Sequence, residues 1–307
     1  KKELYRKALT NWAIFKYLTD TTLIDPFYNE PYTYITKDPF GKNDWSNSQV
    51  IHLLTSDEQK GNCFALTALY KILADRLNAD AKLCTAPQHI YIQHRDTKGD
   101  YYNVELATAG FPDDGTIQAL TYTTNDALMN KIALRDYTEK QSIGICMVNL
   151  AKSYEHTFNT KDDIFMLKCA ETVLQYDSLN LSALLLKQEV LDNSVINYAQ
   201  KTNNNNLLSL KKDKNIQPTI NDLEKHVALL YRLGYRQMPL DMQQIILSGN
   251  YPTEFTDKNP SPFTSIDAKD AKTAHYHALF GGMFKEVFIE QPTENYGHFV
   301  FDTKNKK

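Results

Sequence analysis

Three residue types that together can run acyl-transfer chemistry occur in order along the first third of the chain: a thiol at Cys63, an imidazole at His89 and a carboxylate at Glu105. A thiolate attacks a carbonyl carbon, an imidazole moves the proton, and a carboxylate fixes the imidazole and favours its charged form. The local context of Cys63 fits the first role. Gly61 and Asn62 precede it and an apolar stretch follows. Asn62 is a good helix N-cap, and Gly61 permits close approach of another backbone. Cys63 then falls in the first helical turn, where unpaired N–H groups and the helix dipole favour a thiolate. The alternative reading of such a residue is a small buried thiol filling a helix terminus.

The elements that must position these groups can be read from periodicity. Cys63 to Leu77 reads as a buried helix with Leu66, Leu69, Ile72, Leu73 and Leu77 on its inner turns. Two alternating runs, His89 to His94 and Tyr101 to Ala107, read as the strands of a hairpin. His89, Tyr91 and Gln93 share one face of the first, while Tyr101, Asn103 and Glu105 share one face of the second. Centring the five-residue connection Arg95-Asp96-Thr97-Lys98-Gly99 pairs His94 with Asp100 and sets His89 directly across from Glu105. A slip of two residues would instead set His89 across from Asn103, the rival orienter.

At these residues the chain resembles the transglutaminase-like branch of the papain-type fold. Gly61-Asn62-Cys63-Phe64-Ala65-Leu66-Thr67 looks like the motif that opens that family's core helix. His89-Ile90-Tyr91-Ile92 looks like its histidine strand, and Tyr102-Asn103-Val104-Glu105 like its acidic strand. The resemblance covers roughly residues 50 to 110 and departs from the family at Glu105, where Asp is usual. It implies a core helix packed on an antiparallel sheet, and a peptidase-like, amidase-like or crosslinking thiol enzyme with Cys63 as nucleophile, His89 as acid and base, and Glu105 as orienter. The Cys63 N–H would supply one oxyanion donor, and the second would come from Gln59, Trp45 or a neighbouring N–H. No cofactor is expected, and hydrolysis is favoured over crosslinking because no calcium-loop motif is visible. Relatives that combine such a core with tetratricopeptide-like helices include bacterial members lacking the cysteine. The alternative is therefore a non-catalytic scaffold that binds peptides.

Around this segment the chain divides by texture. Leu4 to Leu18 reads as a helix, and the stretch holding Pro26, Pro31, Pro39 and Gly41 among aromatic residues reads as a long loop. Beyond Thr124 helical periods run through Ala127 to Arg135, Ser142 to Tyr154, Ile164 to Tyr176, Leu181 to Leu191, Asn221 to Leu233 and Leu240 to Leu247, with no strand expected before Phe299-Val300-Phe301. Leu150, Tyr154 and Val173 to Asp177 fit a degenerate tetratricopeptide-like pattern, whose inner stripe would hold Leu150, Tyr154, Leu167, Leu174 and Leu184. The expected class is α+β: a papain- or transglutaminase-like core over 1–125, followed by a helical tetratricopeptide-like region over 126–307 with a C-terminal extension.

Composition narrows the partners. Lys and Arg number 34 against 37 Asp and Glu, so bulk charge argues against duplex nucleic acid or an anionic membrane surface. The expected partners are a peptide or protein substrate and a protein docked on the helical half. The longest apolar runs fall short of the ~20 residues that span a bilayer. Cys63, Cys84, Cys146 and Cys169 form no metal-type spacing, so no metal site is expected. His275-Tyr276-His277 in a helix would not converge on a metal, His298 reads as a packing or surface histidine, and Gly281-Gly282 lacks the rest of a phosphate loop. Asp57 and Glu58 read as solvated charges able to tune Cys63. An opening at Lys1-Lys2-Glu3 without Met fits a mature exported chain or a trimmed one, and export is the expectation taken.

Overall fold

A computed structural model describes residues 1–239, apart from 25, 162, 163 and 205, together with 243–244. His275, His277, Gly281, Gly282, His298, the strand expected at 299–301 and most of the helix expected from Leu240 lie outside the described residues. The architecture is mixed helix and antiparallel sheet, an α+β chain. It divides into two compact units, one of Lys1–Thr121 with Ala133–Ser142, the other of Tyr122–Ile132 with the chain from Ile143 onward.

The first unit begins with α1 (Lys2–Thr19), the antiparallel pair β1 (Thr22–Ile24) and β2 (Phe27–Asn29), and β3 (Thr33–Tyr34). Part of the stretch read as a long loop is therefore strand. A 3₁₀ turn over Trp45–Ser48 leads to α2 (Val50–Thr55), β4 (Lys60–Gly61) and α3 (Cys63–Arg76). Then come β5 (Ala81–Ala86), β6 (His89–Arg95), β7 (Tyr101–Val104) and α4 (Asp114–Leu120). After α5 (Asn125–Met129), β8 (Arg135–Asp136) completes a sheet ordered β7-β6-β5-β8. Buried positions on α3 are Ala65, Leu66, Thr67, Leu69, Tyr70 and Ala74, whereas Ile72 and Leu77, expected inside, are exposed. The Tyr70 hydroxyl, fully buried, donates to the Asn11 carbonyl (3.0 Å), which ties α3 to α1. Thr67 Oγ1 donates to the Ile90 carbonyl (3.3 Å) and ties α3 to β6. Each bond satisfies a polar group that burial would otherwise leave at a cost of about 1–3 kcal/mol.

Two strands of the four-stranded sheet escape the sequence pattern. Ala81–Ala86 is buried at five of its six positions and so shows no alternation. It pairs with β6 across a tight turn in which Ala86 faces His89. Arg135–Asp136 lies where a helix over Ala127 to Arg135 and no strand were expected. The helix stops at Met129 because Lys131 and Leu134 take positive φ of 57° and 50°, outside the helical region. Leu134 N–H then donates to Thr85, which starts the pairing with β5.

The hairpin register also differs from the centred one. Ile92 faces Val104, Gln93 faces Asn103 and Arg95 faces Tyr101, two residues away from the expected pairing. The cause is Asp96. Its Oδ1 accepts the N–H groups of Lys98 (2.8 Å), Gly99 (2.7 Å) and Asp100 (2.8 Å), and Asp96 N–H donates to Asp100 O (2.8 Å). This carboxylate-centred turn moves the centre of the five-residue loop from Thr97 to Lys98 and draws Asp96 opposite Asp100. Gly99 takes φ +100°, a conformation that needs glycine. The polar faces still coincide, because a slip of two preserves side-chain parity. Strand β7 ends at Val104 rather than Ala107, and Glu105 instead bridges Gly110.

The second unit is helical among its described residues: α5, most of α6 (Glu139–Phe158), α7 (Ile164–Tyr176), α8 (Leu181–Lys201), α9 (Leu207–Leu210) and α10 (Gln217–Arg232). One core cluster joins Ala151, Met166, Cys169, Ala170, Leu186 and Val190, and another joins Leu191, Val195, Ala199, Leu210, Ile216, Ile220 and Leu223. Leu184 is buried as expected, and Tyr154 and Leu167 pack against the first cluster, but Leu150 is 54% exposed. The inward stripe of α6 runs through Ile145, Val148 and Ala151 instead, and Gly144 brings α6 so close to Val173 that a Cβ there would sit 2.9 Å from it.

Gly99→Ala isolates the price of the turn conformation, because the nearest atom to an added Cβ is 4.0 Å away and only the φ of +100° opposes it. Urea unfolding should show a loss of about 1 kcal/mol for this variant.

Candidate active site

Four segments converge on the N-terminus of α3. Asn62 is its N-cap: Asn62 Oδ1 accepts the Ala65 N–H (3.1 Å), and the cap is itself held by Nδ2 donating to Ser48 Oγ (2.6 Å) and by its N–H donating to Asn47 O (2.8 Å). Gly61 lies against this turn. A Cβ there would stand 3.0 Å from the Ala65 Cβ and 3.2 Å from Leu53 Cδ1, so the position has no room for a side chain without movement. On its other edge β4 pairs in parallel with β3, Tyr34 beside Gly61, and Ile35 N–H donates to Gly61 O (3.0 Å). Cys63 is the first residue of α3 and is half-buried. Among the described residues its N–H and that of Phe64 are given to no protein acceptor, as the first N–H groups of a helix are until something outside supplies one.

His89 opens β6. Its Nε2 is hydrogen-bonded to Glu105 Oε2, a short contact between a side chain 20% exposed and one 9% exposed. The other carboxylate oxygen, Oε1, accepts the Ala107 N–H (2.8 Å), and the Glu105 backbone exchanges two bonds of 2.9 Å with Gly110. Both ends of the carboxylate are thus fixed. With Nε2 engaged, Nδ1 is the ring nitrogen left for Cys63, whose side chain interacts with the imidazole. Tyr91, two residues on and buried, stacks under the ring at 6.1 Å between centroids and 14° between planes.

Because β6 and β7 run two residues off the centred register, His89 and Glu105 are diagonal rather than opposed. Diagonal neighbours are about 7–8 Å apart, a span a long side chain can bridge. The added methylene of Glu over Asp supplies reach in this register. The electrostatics follow. Burial pulls the His89 pKa down, but the Glu105 charge and the hydrogen bonds to Cys63 and Glu105 outweigh it, and the ring is held well above the ordinary histidine range. The arrangement therefore favours the charged imidazolium.

Other sequence-derived candidates sit elsewhere. Asn103 faces Gln93, accepting from its Nε2 (3.1 Å) and donating to Asp114 Oδ1 (2.7 Å), so it does not orient His89. Gln59 precedes β4, its backbone carbonyl accepting the Thr33 N–H (3.0 Å), and Trp45 lies beside Gly41 in the 3₁₀ turn, its indole 3.1 Å from a Cβ added there. Asp57 and Glu58 are exposed, Glu58 paired with Lys60 at 3.1 Å. One site residue escaped sequence reasoning. Tyr34 interacts electrostatically with both Cys63 and Glu105, and burial together with those two negative groups pushes its phenol pKa up. No local signal marks it, since only the long-range pairing of β3 with β4 brings it here. Among the described residues no group of three His, Cys, Asp or Glu side chains is arranged to hold a metal ion, and no helix is long and apolar enough to cross a membrane.

A histidine whose folded pKa is raised contributes stability below its unfolded value, and that stability is lost as pH rises through the folded value. Glu105→Gln should therefore cost about 1.5–3 kcal/mol near pH 6, where the charged hydrogen bond is intact in the wild type. The same substitution should cost less near pH 9, as the imidazolium loses its proton. Urea unfolding of both chains at the two pH values measures this, and an equal loss at both contradicts the assignment. Comparison of the chain with protein-family models, curated proteins and solved structures gives no match to any of them.

Proposed function

We propose that the chain carries a thiol-dependent hydrolase of amide bonds, peptidase- or amidase-like, on a transglutaminase-like core, with tetratricopeptide-like helices in the second unit offering a docking surface for a protein partner. The observation that carries this reading is the buried Glu105 carboxylate on His89 Nε2, with the same imidazole interacting with Cys63 at the start of α3.

In the proposed reaction Cys63 Sγ, as thiolate, forms a bond to the carbonyl carbon of the amide, and the carbonyl π electrons move onto oxygen. The oxyanion then collapses and the C–N bond breaks, the leaving amine taking the proton from the His89 imidazolium. A thioester on Cys63 remains. Water attacks it while neutral His89 accepts the proton, the C–S bond breaks, and a carboxylic acid leaves as the thiolate–imidazolium pair returns. An amine in place of water would give acyl transfer by the same steps. Glu105 keeps the ring oriented throughout and stabilises its charged form. A scaffold without catalysis was the alternative because Glu replaces Asp at 105; the diagonal register gives that replacement a geometric use and so favours the enzyme.

An activated thiol is alkylated well below the ~8.5 at which a free cysteine ionises. Iodoacetamide should label Cys63 rapidly at about pH 6, ahead of Cys84, Cys146 and Cys169, and Glu105→Gln should slow that labelling at mildly acidic pH by lowering the pKa of His89. Peptide mapping of the labelled sites over a pH series checks this. A Cys63 profile matching that of a free thiol argues for the scaffold instead.

A further inference from the structure

An oxyanion site needs two donors converging on one oxygen, and the α3 terminus supplies one of them in the Cys63 N–H. The second must lie close by, be free to donate, and remain protonated where the thiol works. The Trp45 ring packs on Gly41 and Gln59 precedes β4, and a third side chain meets these requirements.

That side chain is Tyr34. In a parallel pair, side chains of facing residues project to the same side of the ladder. The side chain that Gly61 lacks would point at the Ala65 Cβ and Leu53 Cδ1, beneath the first turn of α3. Tyr34, which faces Gly61, projects to that same side. The phenol is within electrostatic reach of Cys63 and of Glu105, the two ends of the proposed catalytic line. The residue is half-buried, and among the described residues its hydroxyl is committed to no protein acceptor. Burial keeps the phenol protonated, so it stays a donor across the range in which a thiolate–imidazolium pair exists.

We infer that the Tyr34 hydroxyl is the second oxyanion donor, binding, together with the Cys63 N–H, the carbonyl oxygen of the bond that Cys63 attacks. This inference rests on Cys63 being the nucleophile. It adds a catalytic residue to that reading, and it makes the α3 terminus and β3 jointly responsible for the tetrahedral intermediate. The substrate class follows from the donors: an sp² carbonyl that becomes an oxyanion, as in an amide, thioester or ester.

Two probes separate the donor from the nucleophile. p-Nitrophenyl acetate acetylates a thiol through an oxyanion, the Cys63 S–C bond forming as p-nitrophenolate leaves. Iodoacetamide alkylates it by displacing iodide from a saturated carbon and builds no oxyanion. Tyr34→Phe should slow acetylation of the full chain on the order of 10²-fold, the size of one oxyanion donor, while the rate and pH profile of Cys63 alkylation stay as in the wild type. The unchanged alkylation profile also reports that the α3 terminus and His89 are still folded. Unchanged acetylation overturns the inference, as does a parallel fall in both reactions, which would assign Tyr34 to the thiol or the fold. Failure of the underlying reading looks different. In that case the wild type is acetylated no faster than Cys63→Ser, whatever occupies position 34.

Discussion

Glu105, a residue only 7% exposed, has lost most of its hydration, so its carboxylate needs a hydrogen-bond donor at each oxygen. The chain provides them from two directions. Ala107 N–H comes from the turn that ends β7, and His89 Nε2 comes from the start of β6. The pair fixes the proton of the imidazole at a defined place, and it commits the end of the sheet to one arrangement, since removing either partner leaves a buried charge uncompensated. The folded sheet and the chemistry proposed for it depend on the same contact.

That contact is made possible by a turn at the far end of the hairpin. Asp96 gathers three N–H groups, centres the loop on Lys98 rather than Thr97, and shifts β6 against β7 by two residues. The consequence is felt at the opposite end of the strands, where His89 and Glu105 become diagonal. A shorter carboxylate would have the same chemistry with less reach. The exposed turn and the buried ion pair are thus linked by strand register alone, without any contact between them.

The Cys63 end of the site is organised by packing rather than charge. Asn62 closes the α3 terminus, Ser48 and Asn47 hold the cap, Gly61 packs against Ala65 and Leu53, and β3 sets Tyr34 beside Gly61. Free N–H groups at a helix start and an uncommitted phenol are polar groups left available at this end of the unit. Such availability is what an oxyanion site requires before substrate arrives. The second unit follows ordinary helix packing, with small residues such as Gly144 and Ala151 setting how closely α6 approaches its neighbours.

Local chemistry was written plainly in the sequence: the Asn62 cap, the helix from Cys63, the strand from His89 and the polar face shared by His89 and Glu105 all follow from residue type and period. So did most of the helices of the second unit, whose apolar repeats are long. What the sequence hid had a common physical origin in contacts between distant residues or in a side chain overriding a period. Ala81–Ala86 shows no alternation because both its faces are covered, and Leu150 points away from the core because Ile145, Val148 and Ala151 form the inner stripe of α6. The register of the hairpin was decided by the Asp96 carboxylate rather than by loop length, and Asn103 went to Gln93 as a result. Tyr34 reached the site only through a two-residue parallel pairing with a strand far along the chain. Sequence by itself determined which groups could do chemistry and on which elements they stand. Tertiary structure decided which of them meet, because register and parallel pairing are set by the closing of loops and the satisfaction of buried polar groups across the whole unit.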